Sequence, residues 1–386
     1  MNQAAFFAPF IRGSLIERTG QHYLVRFLPT APVADGLTKL TISLDAAAED
    51  ESVVAQAISK ALEEYSAIPQ LVQLVIGQDE YTYAIAQSPS TIEAIAAGKV
   101  PDAEAPVVAS RATVMKNKVV VVTGGAQGFG AEIVRGLVAG DALVFVADLN
   151  LEGATKFTQE LNQEYHRTVA LPVAVNVADE SSVAAMIESI ALSAGGLDLC
   201  VSNAGVLRAS SILQQDMDSF RFVTDINYTA FAIITKHCAL LMKRQKAAAP
   251  SLLTDIIQIN SKSGLEGSNK NGSYAGGKFG SIGLVQSFAL ELVEYGIKVN
   301  AVCPGNFFDG PLWSDPEKGL FVQYLRTGKV PGAKTIADVK KFYEAKVPMN
   351  RGCYGEDVIR AVYYLVEQAY ETGQALPVTG GQVMLN

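Results

Sequence analysis

The chain has little histidine and little cysteine, the side chains that most often hold transition metals. Its 386 residues include only three histidines, His22, His166 and His237, which lie far apart in the sequence. We therefore predict no histidine-rich metal site and no zinc-type alcohol dehydrogenase chemistry. The four cysteines contain no C-x-x-C pair, which favours reduced thiols in a cytoplasmic protein over a disulfide framework. The cysteines are Cys200, Cys238, Cys303 and Cys353.

A long apolar run and an excess of positive charge are also absent. No apolar segment approaches the roughly 20 residues that a membrane-spanning helix needs. The first residues, M-N-Q-A-A-F-F-A-P-F-I-R, lack a basic start, and Pro9 interrupts their apolar stretch, so we expect no signal peptide. The net charge of −8 argues against nucleic acid or an anionic membrane as a general partner.

The length allows two domains, and turn-forming residues suggest where they divide. Pro101 and Pro106 mark residues 99–117 as a linker. Before the linker, residues 1–98 show strand-like and helix-like patterns that predict a small α/β domain. The predicted strands and helices cover 22–28, 39–44, 52–65, 71–76 and 89–98. This segment carries no catalytic constellation, and we interpret it as an assembly or regulatory module or a degenerate remnant.

A glycine-rich loop follows the first strand-like run after the linker. The run K-V-V-V-V-T at 118–123 is apolar and β-branched, which is typical of a strand buried on both faces. Gly124, Gly128 and Gly130 follow it and lead into a helix-like segment. Glycines allow a tight turn and a close approach of the backbone to a pyrophosphate, and the N-terminus of the helix attracts that anion. The order of strand, loop and helix therefore predicts dinucleotide binding.

An acidic residue at the end of the next strand refines this prediction. Residues 142–147 form a second apolar run, and Asp148 follows it. A carboxylate at this position suits the ribose hydroxyls of NAD and repels the 2′-phosphate of NADP. The next residues, Leu149 and Asn150, supply no arginine. We therefore predict NAD as the cofactor.

A serine, a tyrosine and a lysine follow at a spacing that suits proton transfer. Ser261 stands 13 positions before Tyr274, and Lys278 stands 4 positions after it. A tyrosine and a lysine four residues apart share one face of a helix, and a nearby cation favours the phenolate. Y-x-x-x-K alone is common by chance and is also typical of an ordinary amphipathic helix. Behind a dinucleotide-binding loop, it indicates a general acid/base.

These motifs together resemble the short-chain dehydrogenase/reductase family over residues 118–386. Further sequence motifs of the family occur in the expected order along the chain, from Asn176-Val177 through Ser202-Asn203-Ala204-Gly205 to Pro304-Gly305. Asn176 replaces a frequent Asp and Ser202 a frequent Asn, and both can still form hydrogen bonds. The resemblance implies a catalytic domain at 118–386. Its expected fold is α/β, a Rossmann-type doubly wound parallel sheet with helices on both faces, preceded by the small α/β N-terminal domain.

The resemblance also implies roles for individual residues. Tyr274 would be the general acid/base, Ser261 would bind the reacting oxygen, and Lys278 would hold the nicotinamide ribose and lower the tyrosine pKa. Asn227 would hold a water that relays the proton. The implied cofactor-binding residues are Gly124, Gln127, Gly128, Phe129, Gly130, Asp148, Leu149, Asn176, Val177, Asn203, Ala204, Gly205, Tyr274, Lys278, Pro304 and Gly305.

Several segments are similar to polyol-phosphate dehydrogenases of the family, which implies sorbitol 6-phosphate and fructose 6-phosphate as substrate and product. A phosphate needs a cationic clamp, and Lys262, Lys270 and Arg351 are candidates beside Ser261. Trp313, the only tryptophan, would either line the binding site of the sugar or pack inside the segment that forms a substrate lid. The similar segments are I-I-Q-I-N-S-K-S-G (256–264), Y-x-x-x-K-F-G (274–280), K-V-P-M-N-R-G-C (346–353) and V-T-G-G-Q-V-M (378–384).

Two alternatives remain open at this point. One is a dehydrogenase of another polyol or sugar phosphate, and the other is an NAD-sensing protein without turnover. The expected partner is a small sugar or polyol phosphate, and the family commonly forms homodimers or homotetramers.

Overall fold

Two β-sheets organise the chain, which is described by a computed structural model. The structure describes residues 2–32, 36–45, 50–102, 104–108, 110–326, 328 and 330–384. Within these residues, a four-stranded sheet belongs to the N-terminal third and a seven-stranded sheet to the remainder. None of the helices in these ranges has the length and hydropathy that a bilayer-spanning segment requires.

In its described residues, the N-terminal unit contains three helices and four strands. Its elements are α1 (Gln3–Thr19), β1 (Leu24–Leu28), β2 (Lys39–Leu44), α2 (Glu51–Glu64), β3 (Leu71–Ile76), β4 (Asp79–Ala86) and α3 (Pro89–Ala96). The strand order is β1-β4-β3-β2, with β2 and β3 parallel and the other pairs antiparallel. Three strands, α2 and α3 lie where the sequence predicts them.

Helix α1 and strand β4 were not predicted. Pro9 lies inside α1, and a proline removes a backbone donor, so it is usually taken as a helix end. The helix is also buried on nearly every side from Ala4 to Ile16, and a helix without an exposed face shows no amphipathic period. Strand β4 begins with the polar residues Asp79 and Glu80 directly after a turn, and only its second half is apolar. The first residues therefore do not show the pattern of a buried strand.

The seven-stranded sheet is parallel throughout, in the order β11-β10-β9-β8-β5-β6-β7. Its strands and the intervening helices are β5 (Val119–Thr123), α4 (Gly128–Ala139), β6 (Leu143–Asp148), α5 (Leu151–Glu164), β7 (Ala170–Ala174), α6 (Glu180–Ala194), β8 (Leu199–Ser202), α7 (Met217–Thr224), α8 (Ala230–Ala248), β9 (Thr254–Ile259), α9 (Gly272–Leu292), β10 (Ile297–Pro304), α10 (Pro311–Ser314), α11 (Leu320–Arg326), α12 (Ile336–Glu344), α13 (Gly355–Glu367) and β11 (Ala375–Val378).

Helices cover both faces of this sheet. Val120 and Val122 of β5 pack with α4, α5 and α13, whereas Val119 and Val121 pack with α6, α8 and α9. All four valines are fully buried, as the uninterrupted apolar run predicts. The predicted Rossmann-type sheet is therefore confirmed. Its strand order reverses between β5 and β8, and ligands of such sheets bind at the carboxyl ends of the strands beside this point.

The N-terminal unit packs directly on the larger sheet's helices. Leu24, Ile92 and Ile95 share one apolar core with Val183 and Ile187 of α6. Helix α1 lies against α8 and α2, and Gly13 is so close to the Gln245 carbonyl that a side chain there would overlap it. The unit is thus held by an extended apolar interface as well as by the chain connection.

A buried ion pair reinforces this interface. The Arg12 guanidinium donates to both carboxylate oxygens of Asp198, at 3.0 and 2.7 Å, and both side chains are fully buried. Asp198 directly precedes β8 and also accepts a hydrogen bond from the backbone N–H of Val119 at 2.7 Å. The neighbouring Arg12 and His22 hold the pKa of Asp198 well below its usual range, against the opposing effect of burial. Helix α1 is therefore tied to the amino-terminal edge of the central strands.

Candidate active site

The glycine loop between β5 and α4 forms a cradle in the backbone. Gly124 and Gly128 have φ values of +60° and +57°, a region that favours glycine. A side chain at Gly130 would overlap the Gly124 carbonyl, whereas one at Gly128 would meet nothing within 4 Å. The Gln127 side chain does not cap helix α4, so the first N–H groups of the helix remain available to an anion. This geometry fits the pyrophosphate of a dinucleotide.

Asp148 connects this loop to the end of β6. Its carboxylate accepts hydrogen bonds from the N–H groups of Ala126 at 3.1 Å and Asn150 at 3.0 Å. Leu149 beside it is 77% exposed. Asn176 is exposed after β7 and its side chain accepts from the N–H of Ala178, while Val177 is buried. These residues line the edge of the sheet where the adenosine half of a dinucleotide is expected.

Asn203 ties the end of β8 to the same loop. Its side-chain amide donates to the carbonyls of Thr123 and Gly124, each at 3.0 Å. The buried Thr123 hydroxyl accepts from the N–H groups of Asn203 and Ala204. Gly205 follows without room for a side chain, since a Cβ there would lie 2.8 Å from Asn227 Oδ1. The two loops are thus held together by side-chain hydrogen bonds between neighbouring strands.

Asn227 lies in a π-helical turn, Asp225–Thr229, between α7 and α8. Such turns are rare and occur frequently at functional sites. The side chain is buried, and its Nδ2 donates to the carbonyls of Val206 at 2.7 Å and Val223 at 3.0 Å. Its Oδ1 accepts from the N–H of Val206 at 3.2 Å. Both N–H groups of Nδ2 already donate hydrogen bonds. A water that relays a proton through this side chain would therefore have to bind to Oδ1.

Ser261, Tyr274 and Lys278 come together at the carboxyl end of β9. Ser261 begins a short 3₁₀-helix, Lys262–Gly264, and its hydroxyl accepts from the N–H of Ser263 at 3.1 Å and lies beside the Tyr274 phenol. Lys278 lies one turn below Tyr274 on α9, with Nζ 5.8 Å from the centre of the tyrosine ring. The lysine is buried and donates to the carbonyl of Ile259 at 2.9 Å. Three of the four predicted catalytic side chains therefore form one cluster.

The protonation of this cluster differs from the expectation. Burial raises the pKa of Tyr274 above its ordinary value, and the hydrogen bond with Ser261 opposes this only in part. Burial also lowers the pKa of Lys278 to about 8. The predicted lowering of the tyrosine pKa by Lys278 is therefore not found, because desolvation of the phenol outweighs the favourable contacts. In this state Tyr274 is a proton donor at neutral pH.

Asn260 is a buried residue of this site that the sequence did not single out. Its Oδ1 accepts from the N–H of Ser261 at 2.8 Å, and its Nδ2 donates to the carbonyl of Lys278 at 2.9 Å. A second bond from Nδ2 reaches Gln258 Oε1 at 2.9 Å. One carboxamide thus fixes the backbone of both the serine and the lysine. Only its position next to Ser261 could have suggested this role.

The segment after Pro304-Gly305 packs against the glycine loop and has its own small core. The rings of Phe129 and Phe307 stack with centroids 4.5 Å apart, so the loop and the segment are in contact. Trp313 is buried and contacts the rings of Phe308 at 4.9 Å and Tyr343 at 5.1 Å. Of the two predicted roles of Trp313, the structure supports packing of this segment.

The three candidate phosphate-binding cations lie in different settings. Lys262 is half-buried next to Ser261, and Lys270 is exposed with a φ of +57°. Arg351 instead forms a bidentate pair with Asp357, with nitrogen–oxygen distances of 2.6 and 2.9 Å. The guanidinium fork is occupied by this carboxylate, so Arg351 is poorly suited to bind a phosphate. Lys262 therefore adjoins Ser261 of the cluster, whereas Arg351 is already paired with Asp357.

The described part of the chain shows no cluster that could hold a metal. No group of three histidine, cysteine or acidic side chains converges in it. All four cysteines are free and buried.

Comparison with known proteins agrees with this geometry. A family model described as short chain dehydrogenase matches residues 118–313. Sorbitol-6-phosphate 2-dehydrogenase from Escherichia coli (strain K12) is 35% identical over 69% of this chain and 99% of its own length. Cis-4-hydroxycyclohexanecarboxylate dehydrogenase from Sinomonas cyclohexanicum is 33% identical over 68% of this chain and 96% of its own.

A solved structure shows the same similarity. The crystal structure of sorbitol-6-phosphate 2-dehydrogenase from Erwinia amylovora has a TM-score of 0.63 to this chain at 36% identity. The match covers 69% of this chain and 100% of the other, so about a third of this chain has no counterpart there.

Proposed function

The chain belongs to the short-chain dehydrogenase family, and we propose that this oxidoreductase interconverts sorbitol 6-phosphate and fructose 6-phosphate with NAD. The observation that carries the chemistry is the cluster of Ser261, Tyr274 and Lys278 beside the glycine cradle. The observation that favours the substrate is the similarity to two sorbitol-6-phosphate 2-dehydrogenases over essentially their full lengths. We further expect a homodimer or homotetramer, as in other members of the family.

Each residue of the cluster has a task in the proposed reaction. Tyr274 takes the proton of the substrate hydroxyl in one direction and returns it to the ketose oxygen in the other. The Ser261 hydroxyl hydrogen-bonds that oxygen and stabilises the charge that develops on it. Lys278, together with the positive charge of a bound nicotinamide, would stabilise the phenolate, and Asn227 and Asn260 hold the surrounding backbone. The bound nicotinamide supplies hydride transfer, and the protein supplies orientation and the proton.

The cofactor would be held by the residues at the carboxyl edge of the sheet. The open side of Gly128 and the uncapped start of α4 fit the pyrophosphate, and Asp148 fits the adenine ribose. Lys278 would hold the nicotinamide ribose, and Pro304 and Gly305, at the carboxyl end of β10, would contact the nicotinamide half of the cofactor. This arrangement supports NAD over NADP because a 2′-phosphate would be repelled by the Asp148 carboxylate.

Removing the Asp148 charge tests the cofactor assignment. In Asp148→Asn the side chain still accepts hydrogen bonds but no longer repels a phosphate. We expect the ratio of kcat/KM with NAD to kcat/KM with NADP to fall at least tenfold, about 1.4 kcal/mol. Steady-state kinetics with both cofactors provide the measurement. Asp141→Asn, at the opposite end of β6, is the control, and an equal change in both variants would contradict the role of Asp148.

The substrate assignment is tested by comparing alcohols under identical conditions. The panel contains sorbitol 6-phosphate, sorbitol, other polyol phosphates and cis-4-hydroxycyclohexanecarboxylate. We expect kcat/KM for sorbitol 6-phosphate to exceed that for sorbitol by at least about a hundredfold, because a phosphate-binding site left unpaired discriminates strongly. A higher value for another polyol phosphate would reassign the substrate. NAD binding without turnover of any alcohol would favour a sensing role.

A further inference from the structure

The loop between β8 and α7 starts beside the catalytic side chains and carries one arginine, Arg208. We infer that Arg208, together with Lys270, binds the phosphate group of the substrate, a role for which the sequence suggested Lys262, Lys270 and Arg351. The inference rests on the proposed function, since it concerns the end of the substrate that lies away from the reacting carbon. Three observations carry it: the path of the loop, the pairing of the loop with the Lys270 segment, and the environment of the guanidinium.

The loop starts among the catalytic side chains. A Cβ at Gly205 would lie 2.8 Å from Asn227 Oδ1 and 3.7 Å from Lys278 Nζ. Val206 is then fixed to the Asn227 side chain by two hydrogen bonds, at 2.7 and 3.2 Å. The backbone two residues before Arg208 is therefore in contact with the catalytic residues, and it has little freedom to move away from them.

The loop next reaches the segment in front of α9. Ser210 forms a β-bridge with Asn271, the residue before the helix that carries Tyr274 and Lys278. Lys270 adjoins this bridge on one side, and Arg208 lies two residues from it on the other. Consecutive Cα atoms are about 3.8 Å apart, so the Cα atoms of Arg208 and Lys270 lie within roughly 8 Å of the bridge. The backbone segments that carry the two side chains therefore adjoin each other and form one rim beside the cluster.

This rim is displaced from the reacting oxygen, as the substrate requires. In sorbitol 6-phosphate several carbon–carbon bonds separate the phosphate from the carbon that is oxidised. Ser261 and Tyr274 mark the reacting oxygen, whereas Arg208 lies three residues beyond Gly205 and Lys270 lies at the end of the loop that leads from Ser261 to α9. Cationic side chains away from the reacting oxygen suit a substrate that is oxidised at one carbon and carries its anion several bonds further along.

The environment of Arg208 leaves its hydrogen-bond donors free. The guanidinium stacks on the ring of Phe222, with its central carbon 4.1 Å from the ring centroid. Within the described ranges of the chain, no carboxylate or other hydrogen-bond acceptor pairs with it. Stacking uses the face of the guanidinium and leaves its edge, with the fork of N–H groups, for an oxyanion. Arg351 is different, because Asp357 occupies its fork at 2.6 and 2.9 Å.

The test compares Arg208→Gln with the unmodified full chain. We expect kcat/KM for sorbitol 6-phosphate to fall about 10- to 100-fold, mainly through KM, as expected for loss of a charged hydrogen-bond partner. The kcat/KM for sorbitol and the Kd for NAD should not change. Arg208→Lys should recover part of the loss, since it keeps the charge but not the fork. Arg221→Gln, an exposed arginine of α7 paired with Asp218, is the matched control.

The outcomes separate this inference from the proposed function. If the unmodified protein prefers sorbitol 6-phosphate and Arg208→Gln keeps that preference, the phosphate role of Arg208 is wrong and the function stands. If Arg208→Gln loses activity equally with both alcohols, or loses NAD affinity, the residue has a structural role and the inference is also wrong. If the unmodified protein does not distinguish a phosphorylated from an unphosphorylated polyol, both proposals fail together.

Discussion

Replacing Tyr274 with phenylalanine is expected to lower kcat by about 10²- to 10⁴-fold, the usual contribution of a general acid/base. The substitution removes one oxygen and retains the ring that packs over Lys278. Without the phenol, the alcohol has no adjacent group to receive its proton, although Ser261 still binds its oxygen. We expect the affinity for NAD to stay within a few-fold, because the glycine cradle and Asp148 are not altered. Stopped-flow or steady-state absorbance of the reduced cofactor gives the rate, and calorimetry gives the affinity.

Tyr370→Phe is a matched control for this experiment. Tyr370 is 99% exposed, and loss of its hydroxyl should leave both the rate and the affinity unchanged. Rates of Tyr274→Phe that equal those of this control would remove Tyr274 from its proposed role.

Replacing Arg12 with methionine is expected to lower the free energy of unfolding by about 3–5 kcal/mol. Methionine fills a similar volume but leaves the Asp198 carboxylate fully buried without its bidentate partner. Among the described residues, the N–H of Val119 and the imidazole of His22 would remain as polar contacts of that charge. The midpoint of urea unfolding, followed by tryptophan fluorescence and circular dichroism, measures the loss.

Two further variants show whether the buried charge is the cause. Arg12→Met combined with Asp198→Asn removes both charges and should recover part of the stability, since no unpaired ion is left. Arg26→Met breaks a surface pair with Glu93 and should change the stability by less than about 1 kcal/mol. If Arg12→Met and Arg26→Met were equally stable, the ion pair would not anchor the N-terminal unit.

The features that the sequence predicts well are those encoded by neighbouring residues. The buried run of β5 is a continuous apolar segment, and the cradle needs glycine where φ is positive, at Gly124 and Gly128. Tyr274 and Lys278 share a helix face because of their spacing alone. Each of these features depends on a few consecutive residues, so periodicity and composition are sufficient to find it.

The features that the sequence did not predict depend on contacts between residues that are far apart in the chain. Arg12 and Asp198 are 186 positions apart, and nothing in either segment indicates the other. Helix α1 escaped prediction because tertiary packing overrides both Pro9 and the missing amphipathic pattern. The pairing of Arg351 with Asp357 and the burial that raises the pKa of Tyr274 likewise follow from the folded environment. The folded environment therefore determines which of several candidate polar residues is available for binding or proton transfer.

The most direct test of the account is to incubate the purified full-length protein with NAD and sorbitol 6-phosphate and to identify the products. We expect formation of NADH together with an equal amount of fructose 6-phosphate, and much slower turnover of sorbitol. Absence of NADH with sorbitol 6-phosphate, or a product oxidised at another carbon, would contradict the proposed function.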